Sequence, residues 1–440
     1  MNKRIKFRLS PFQSILLGFL FLIILGAILL MLPISSKDRS FTSFIDCLFT
    51  STSATCVTGL VVFDTATHWS IFGQIIILIL IQIGGLGVVV VAISFAIFTG
   101  KKIGLLERDT IKEAISAPDI GGVVRMVKKI IKYVFIIELI GAILMLPIFV
   151  RDFGAKGIWY ALFHSISAFC NAGFDILGNS GYSSLTGYSA SIIINIVVML
   201  LIVIGGIGFL VWNDVGKHKW RFSKYHLQSK VAILFSLILI TLPAIYFFIV
   251  EFGDKSFGER VLVSLFQSVT TRTAGFNTVD LQTMSHAAVA IMIALMLIGG
   301  SSGSTAGGMK TTTFAVLFFS TISVFRRKKD TVVMKRRIDN SIVRSASAIF
   351  LMYLGMFILC GIIISAIEGF KLSDCLFETA SAIGTVGLSL GITSSLSIPS
   401  KLILIFLMFI GRAGGLTFIY ATFKSPKIQA TYPLEKIVVG

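Results

Sequence analysis

Charged side chains are scarce in this sequence. Asp, Glu, Lys and Arg make up 14% of its 440 residues, while 55% are hydrophobic. A soluble domain of this size needs far more polar surface, so a water-soluble globular protein is excluded. Histidine and cysteine are sparse as well. His68, His164, His218, His226 and His286 are scattered, and Cys47, Cys56, Cys170, Cys360 and Cys375 form no CxxC pair. That leaves neither a metal motif nor a disulfide framework. No paired carboxylates lie within the apolar stretches and no cofactor motif is present, so a membrane-embedded enzyme has no footing. The connections on the basic side are about 15–30 residues long, short of the roughly 50 that a domain needs.

Long apolar runs are abundant. They are Ile15–Leu32, Ile71–Thr99, Ile130–Phe149, Ser191–Trp212, Val231–Val250, Ala287–Gly299, Ile349–Ala366 and Leu402–Thr422. Several are long enough to cross a hydrocarbon core of about 30 Å. A spanning segment must satisfy its own backbone, so these are helices and the fold is all-α and polytopic. The first run follows Lys3, Arg4, Lys6 and Arg8, but it is too long for a signal sequence and no small-residue cleavage site follows "LLMLPIS".

The net charge of +18 suggests nucleic acid until it is mapped. The N-terminus, 101–132, 217–230, 326–344 and the tail from Lys424 hold 28 of the 39 Lys and Arg. The opposite loops hold 8 basic and 11 acidic residues. That is the positive-inside pattern, which predicts both termini in the cytoplasm.

One phrase recurs. "DCLFTSTSATCVTGL" (46–60) and "DCLFETASAIGTVGL" (374–388) match at 8 of 15 positions. "ALFHSISAFCNAGF" (161–174) and "SLFQSVTTRTAGF" (264–276) are two more copies, so Gly59, Gly173, Gly275 and Gly387 recur at spacings of 114, 102 and 112 residues. Each copy lies between two apolar runs, and the second run carries its own marker: "IGGLG" (83–87), "IGGIG" (204–208), "IGGSSG" (298–303) and "IGRAGG" (410–415). The chain therefore reads as four copies of helix, short re-entrant segment, helix. The expected boundaries are 1–100, 101–222, 223–335 and 336–423, with a tail at 424–440. This gives eight spanning helices and four half-helices around a pseudo-fourfold pore.

About ten residues from Phe49 to Gly59 are too few to span a bilayer. Such a piece enters and stops, and irregular backbone at that depth is tolerated where it lines a wet cavity. Four such ends around an axis would turn carbonyl oxygens inward, the arrangement that replaces the hydration shell of a cation. The candidate ion-binding oxygens belong to Val57, Thr58 and Gly59; Asn171, Ala172 and Gly173; Thr273, Ala274 and Gly275; Thr385, Val386 and Gly387. All four copies run in the same direction, unlike the inverted repeats of many substrate-coupled transporters. The "IGG" markers suit close helix packing.

The third copy departs from its siblings. "GGSSGSTAGGMKTTT" (299–313) holds five Gly and seven Ser or Thr, which a continuous helix does not tolerate easily. A polar break below the pore phrase reads as a gate built from Gly300, Ser301, Ser302, Gly303, Ser304, Thr305, Ala306, Gly307, Gly308 and Lys310. Water or the cavity is expected to satisfy its freed backbone groups. It is not a phosphate-binding loop, because Met309 intervenes before Lys310 and no strand precedes it. Arg412 stands where the other copies have Gly85, Gly206 and Gly300. A mid-span Arg faces the bundle interior or water, so it is expected to point at the pore axis and bond the break. Arg272 is expected behind the third phrase. Glu138 has Arg272 or a neighbouring helix as its candidate partner. Asp46 and Asp374 are placed at half-helix starts, where negative charge is favoured.

With "TCVTGL", "NAGF", "TRTAGFN" and "GTVGL" in hand, the chain resembles the Trk/Ktr/HKT superfamily of K⁺ transporters, and most of all the Ktr-type bacterial membrane subunit with its "YPLEKIVVG" tail. The resemblance covers nearly the whole chain. It implies K⁺ as the transported ion, since Gly59 is Gly rather than Ser, with Na⁺ open as an activator or coupled ion. It also implies an intramembrane loop at 299–313, an Arg at 412, a location in the bacterial cell membrane and a homodimer. The dimer would sit on a cytosolic, RCK-type ring of nucleotide-binding regulatory subunits.

Overall fold

The computed structural model describes residues 10–99, 103–115, 121–181 and 183–422. The basic N-terminus and the tail from Lys424, with its expected dimer and ring contacts, lie outside the described residues. Among the described residues, four helices are long and apolar enough to cross a membrane by themselves: Pro11–Met31, Val123–Phe153, Leu227–Glu251 and Asn340–Glu368. The first is started by a reciprocal cap, in which the Ser10 hydroxyl accepts from the Gln13 amide and Gln13 accepts from the Ser10 amide, with Pro11 at the first helical position.

Each long helix is followed by a short one: Phe44–Thr55, Lys156–Phe169, Phe257–Thr270 and Leu372–Gly384. Their inner faces are anchored by Phe49, Phe163, Phe266 and Phe377, all fully buried. Asp46 and Asp374 do lie in the first turns of two of them. Each short helix leads through a left-handed turn and a loop into another apolar helix whose N-terminal cap is a serine. The caps are Ser70, Ser191, Ser285 and Ser397. This serine is a further fourfold marker that the sequence reading did not use.

The apolar runs Ile71–Thr99, Ser191–Trp212 and Leu402–Thr422 form bent pairs of helices. Ile71–Leu86 meets Val88–Phe98 at 95°, Ile192–Gly206 meets Phe209–His218 at 96°, and Ile398–Ala413 meets Gly415–Thr422 at 97°. The hinges are Gly87, Gly208 and Gly414, with φ of 88°, 103° and 86°. Only glycine adopts such a backbone without strain, so one glycine of each of these markers turns the chain. The third copy breaks more widely, between His286–Leu297 and Thr311–Phe325. All four second helices are thus interrupted. Between the copies lie the short helix Leu105–Ala114, packed on Pro11–Met31, and a hairpin pairing Val332–Val333 with Arg336–Arg337.

Candidate ion path

The four phrase ends share one backbone conformation. Val57, Asn171, Thr273 and Thr385 have φ of 51°, 58°, 67° and 50°, and the glycines two residues on have φ of 92°, 68°, 79° and 94°. A non-glycine residue in that region is strained by about 1–3 kcal/mol and persists only where the surroundings enforce it. Four in equivalent places point to a built site.

The same residue enforces it in every copy. The amides of Thr58, Ala172, Ala274 and Val386 donate to the main-chain oxygens of Ser53, Ser167, Thr270 and Ser381 at 2.8–2.9 Å. The hydroxyls of these same four residues hold the glycine end. Ser53 and Ser381 accept from the Gly59 and Gly387 amides at 3.1 and 2.9 Å. Ser167 and Thr270 donate to the Phe174 and Phe276 carbonyls at 2.7 and 2.6 Å. With their amides turned back onto the half-helices, the middle residues keep their carbonyls for the other side. The sequence reading missed these four positions, although a hydroxyl five or six residues before each glycine was there to be found.

The ends meet in a closed ring. A methyl group added to Gly59 would lie 2.6 Å from the Ala172 carbonyl oxygen, and one on Gly173 would lie 2.8 Å from that of Ala274. One on Gly275 would strike the Val386 carbonyl oxygen, and one on Gly387 that of Thr58. The order is therefore copy one, two, three, four and back to one. Of the expected set, Thr58, Gly59, Ala172, Gly173, Ala274, Gly275, Val386 and Gly387 meet in these contacts, and Val57, Asn171, Thr273 and Thr385 begin the four turns.

Below the ring, the interrupted second helices converge on 298–310. Several of the freed amides of that stretch find partners on the neighbouring copies. Ser301 and Thr305 donate to the Gly206 and Gly205 carbonyls at 2.9 and 3.2 Å, and Gly308 donates to Gly411 at 3.1 Å. In return Phe209 donates to Gly303 at 2.7 Å. Helix ends leave carbonyls without partners, so the break in one copy satisfies the breaks in its neighbours. Within the stretch, Gly299 donates to Met309 at 2.7 Å and Thr311 to Gly300 at 3.0 Å. Gly84, Gly205 and Gly411 pack against the Thr55, Phe169 and Ile383 carbonyls of their own short helices.

Arg412 reaches across this level. Its guanidinium donates to the carbonyls of Thr305, Gly84 and Gly85, the last at 2.9 Å. One side chain thus joins copies one, three and four. Lys310 turns its ammonium onto the Ala306 and Gly307 carbonyls at 2.7 and 3.2 Å. Both cations line a cavity of about 250 Å³ that also receives Glu113 from Leu105–Ala114. Arg272 is buried and donates to Thr311 Oγ1 at 2.9 Å, behind the third phrase and beside the end of the loop. Glu138 does not bond Arg272. It accepts from Gln82 Nε2 at 3.0 and 3.3 Å, which selects the neighbouring-helix partner. Glu378 accepts from Ser389 and from Thr393 at 2.8 Å, behind the fourth phrase. All five cysteines are free, and among the described residues no group of His, Cys, Asp or Glu could hold a metal ion.

Long apolar helices, bent pairs and a buried ring of strained backbone make this a helical multi-pass membrane protein. Its fold is that of the potassium transporter TrkH of Vibrio parahaemolyticus, with a TM-score of 0.74 over 95% of this chain and 86% of that one, at 19% identity. The chain belongs to the TrkH family of cation transport proteins, which it matches over residues 10–430. It is 40% identical over 453 residues to the potassium/sodium uptake protein NtpJ of Enterococcus hirae, covering 100% of this chain and 99% of that one. It is also 40% identical to the Ktr system potassium uptake protein B of Bacillus subtilis, covering 98% and 97%. The protein is a cation transporter, not an enzyme.

Proposed function

We propose that this chain is the ion-conducting membrane subunit of a K⁺ uptake system. K⁺ passes a filter of backbone carbonyls drawn from Val57–Gly59, Asn171–Gly173, Thr273–Gly275 and Thr385–Gly387. It is stopped below by the 300–310 loop and Arg412. The observation that carries this reading is the closed ring of four left-handed turns. Carbonyl oxygens converging on one axis replace water around a cation. The chain then has eight spans, four of them interrupted, and four half-helices that enter and stop. The basic loops put both termini in the cytoplasm.

The gate reading rests on charge and connectivity. The loop is tied to the broken helices of copies two and four, and Arg412 ties it to copy one. At about 5 Å and an effective dielectric near 20, a fixed positive charge opposes a cation by roughly 3 kcal/mol, enough to slow passage by about two orders of magnitude. Opening requires the loop to release Arg412 and move aside. Relatives named as Ktr-system and potassium/sodium uptake proteins favour K⁺ as cargo, with Na⁺ as an activator or coupled ion. The resemblance to the Ktr-type subunit further implies a homodimer carried on a cytosolic, nucleotide-binding ring of the RCK type. The test is expression in cells lacking K⁺ uptake, with K⁺, Rb⁺ and Na⁺ influx measured separately. Influx of K⁺ and Rb⁺ well above Na⁺ is expected. Chain inserted in the membrane without any K⁺ influx would overturn the reading.

A further inference from the structure

A second cavity, of about 290 Å³, lies beside the loop and away from the ring. Its walls are almost wholly apolar, with Leu227, Val231, Ala315, Phe319, Val333 and Ile338 among them. Its inner end is Ser302, whose hydroxyl shares a hydrogen bond with Thr312 Oγ1 at 3.0 Å. Ser302 also lines the cavity that holds Lys310 and Arg412. One residue of the loop therefore has the ion path on one side and an apolar crevice on the other. At the other end of the crevice stands the basic hairpin. Val333, in the wall, pairs across the strands with Arg336, and Arg337 precedes Ile338, also in the wall. From Arg326 to Arg337 the chain carries seven basic residues and one acidic one.

We infer that this crevice is a binding site for an anionic phospholipid. One acyl chain lies against Val231, Ala315 and Phe319, and the phosphate lies on Arg336 and Arg337. The volume sits at the lower end of ligand sites, roughly 300–1,000 Å³, which suits part of one chain. Basic clusters at the cytoplasmic end of a helix attract anionic headgroups, and the apolar walls require a hydrocarbon partner. The functional consequence rests on the gate reading above. A ligand shifts an equilibrium toward the state that holds it better. The crevice exists with the loop tied across the path, so the lipid favours the closed arrangement.

The experiment uses the full chain reconstituted into vesicles of phosphatidylcholine, alone or mixed with phosphatidylglycerol. Rb⁺ influx is compared between the parent and Arg336→Gln/Arg337→Gln, and retained phosphatidylglycerol is counted by native mass spectrometry. Both arginines are exposed, and the one ion pair removed, Arg337 with Asp330 at 3.6 Å, lies at the surface where such pairs contribute little, so this variant is expected to keep the fold. Loss of two basic contacts is expected to weaken retention roughly tenfold or more. The variant should conduct more than the parent in the mixed vesicles and equally in phosphatidylcholine. Ala315→Phe, which fills the crevice, should remove the difference between the two lipids. Equal retention by parent and variant, or the same influx ratio in both vesicles, overturns the proposal. So does disulfide-linked dimer from Ile342→Cys in bilayers, because a second copy would then cover the crevice. Absence of Rb⁺ influx in every vesicle argues against the uptake reading, while lipid retention still decides the site.

Discussion

The carbonyl oxygen of Thr58 lies against the α-carbon of Gly387, so the last copy of the repeated phrase closes onto the first. The contact leaves no room for a side chain on Gly387, and the equivalent contacts leave none on the other three glycines. Gly59→Ser puts an oxygen-bearing side chain 2.6 Å from the Ala172 carbonyl at a φ of 92°. The turn must shift, and with it one quadrant of the ring. K⁺ preference over Na⁺ is expected to fall by about tenfold or more, the worth of a 1.4 kcal/mol difference, while the protein still inserts. Parallel K⁺, Rb⁺ and Na⁺ influx measures it, and unchanged selectivity would remove this ring from the mechanism.

Removal of the loop tests the gate. Deleting "SSGSTAGG" (301–308) takes away Thr305, the carbonyl that Arg412 holds, and the amides bound by Gly205, Gly206 and Gly411. Influx should rise and control by any partner should weaken. Arg412→Ala frees the Thr305, Gly84 and Gly85 carbonyls and removes the charge, so influx should rise there too. If both variants insert normally and conduct less than the parent, the loop is a strut.

Much of this architecture was legible because it is written four times. Phe49, Phe163, Phe266 and Phe377 kept step with the glycines in sequence, and all four are fully buried in the fold. The odd residues were legible by contrast: Arg412 stood out because its siblings are glycines. The bends at Gly87, Gly208 and Gly414 were not legible, because glycine in an apolar helix serves close packing and turning equally well. Periodicity cannot separate the two uses when the flanks are apolar on every side. The partner of Glu138 was equally hidden, since Gln82 lies 56 residues away and nothing in the spacing of the two pairs them.

The hinge glycines should differ in what they tolerate. Nothing lies within 4 Å of a methyl group on Gly87, so Gly87→Ala is limited by backbone strain at φ 88°. A loss of about 1–3 kcal/mol in stability is expected, with influx largely kept. A methyl group on Gly208 would lie 2.9 Å from the Ser302 carbonyl, so Gly208→Ala also presses on the loop. Melting in detergent paired with Rb⁺ influx separates the two. Equal effects of both substitutions on influx would mean that this contact does not reach the gate.

Copies one and four are also tied near the starts of two of their helices. Lys401 Nζ lies 2.8 Å from Asp46 Oδ1, with side chains only 12% and 15% exposed. Exposed pairs are worth about 0–1 kcal/mol, and breaking a buried one costs roughly 3–5. This partly covered pair falls between, so Lys401→Met should destabilise the protein by about 2 kcal/mol. Asp46→Asn with Lys401→Met together should cost less than the two single changes summed. Strict additivity in a double-mutant cycle would show that the pair does not couple the two copies.

Control of the gate leads to the last prediction. The basic connections around 101–132, 217–230 and 326–344 are too short to fold as sensors by themselves, since domains typically need about 50 residues or more. On the gate reading proposed above, control arrives in trans. On the reading above, the basic connections suit an acidic docking surface, and the tail "TYPLEKIVVG" follows the last helix in sequence. We expect the full chain to purify as a dimer and to retain a nucleotide-binding ring. Removal of the tail should weaken both associations by tenfold or more, the scale of a 1.4 kcal/mol loss. Mass measurement in detergent, with and without the tail and the ring, reads both at once. Added salt should loosen the ring if charge holds it, because screening at 0.15 M already acts within about 8 Å. A monomer that captures no ring, with or without the tail, would leave a free-standing uptake protein whose loop answers to the membrane or to the ion itself.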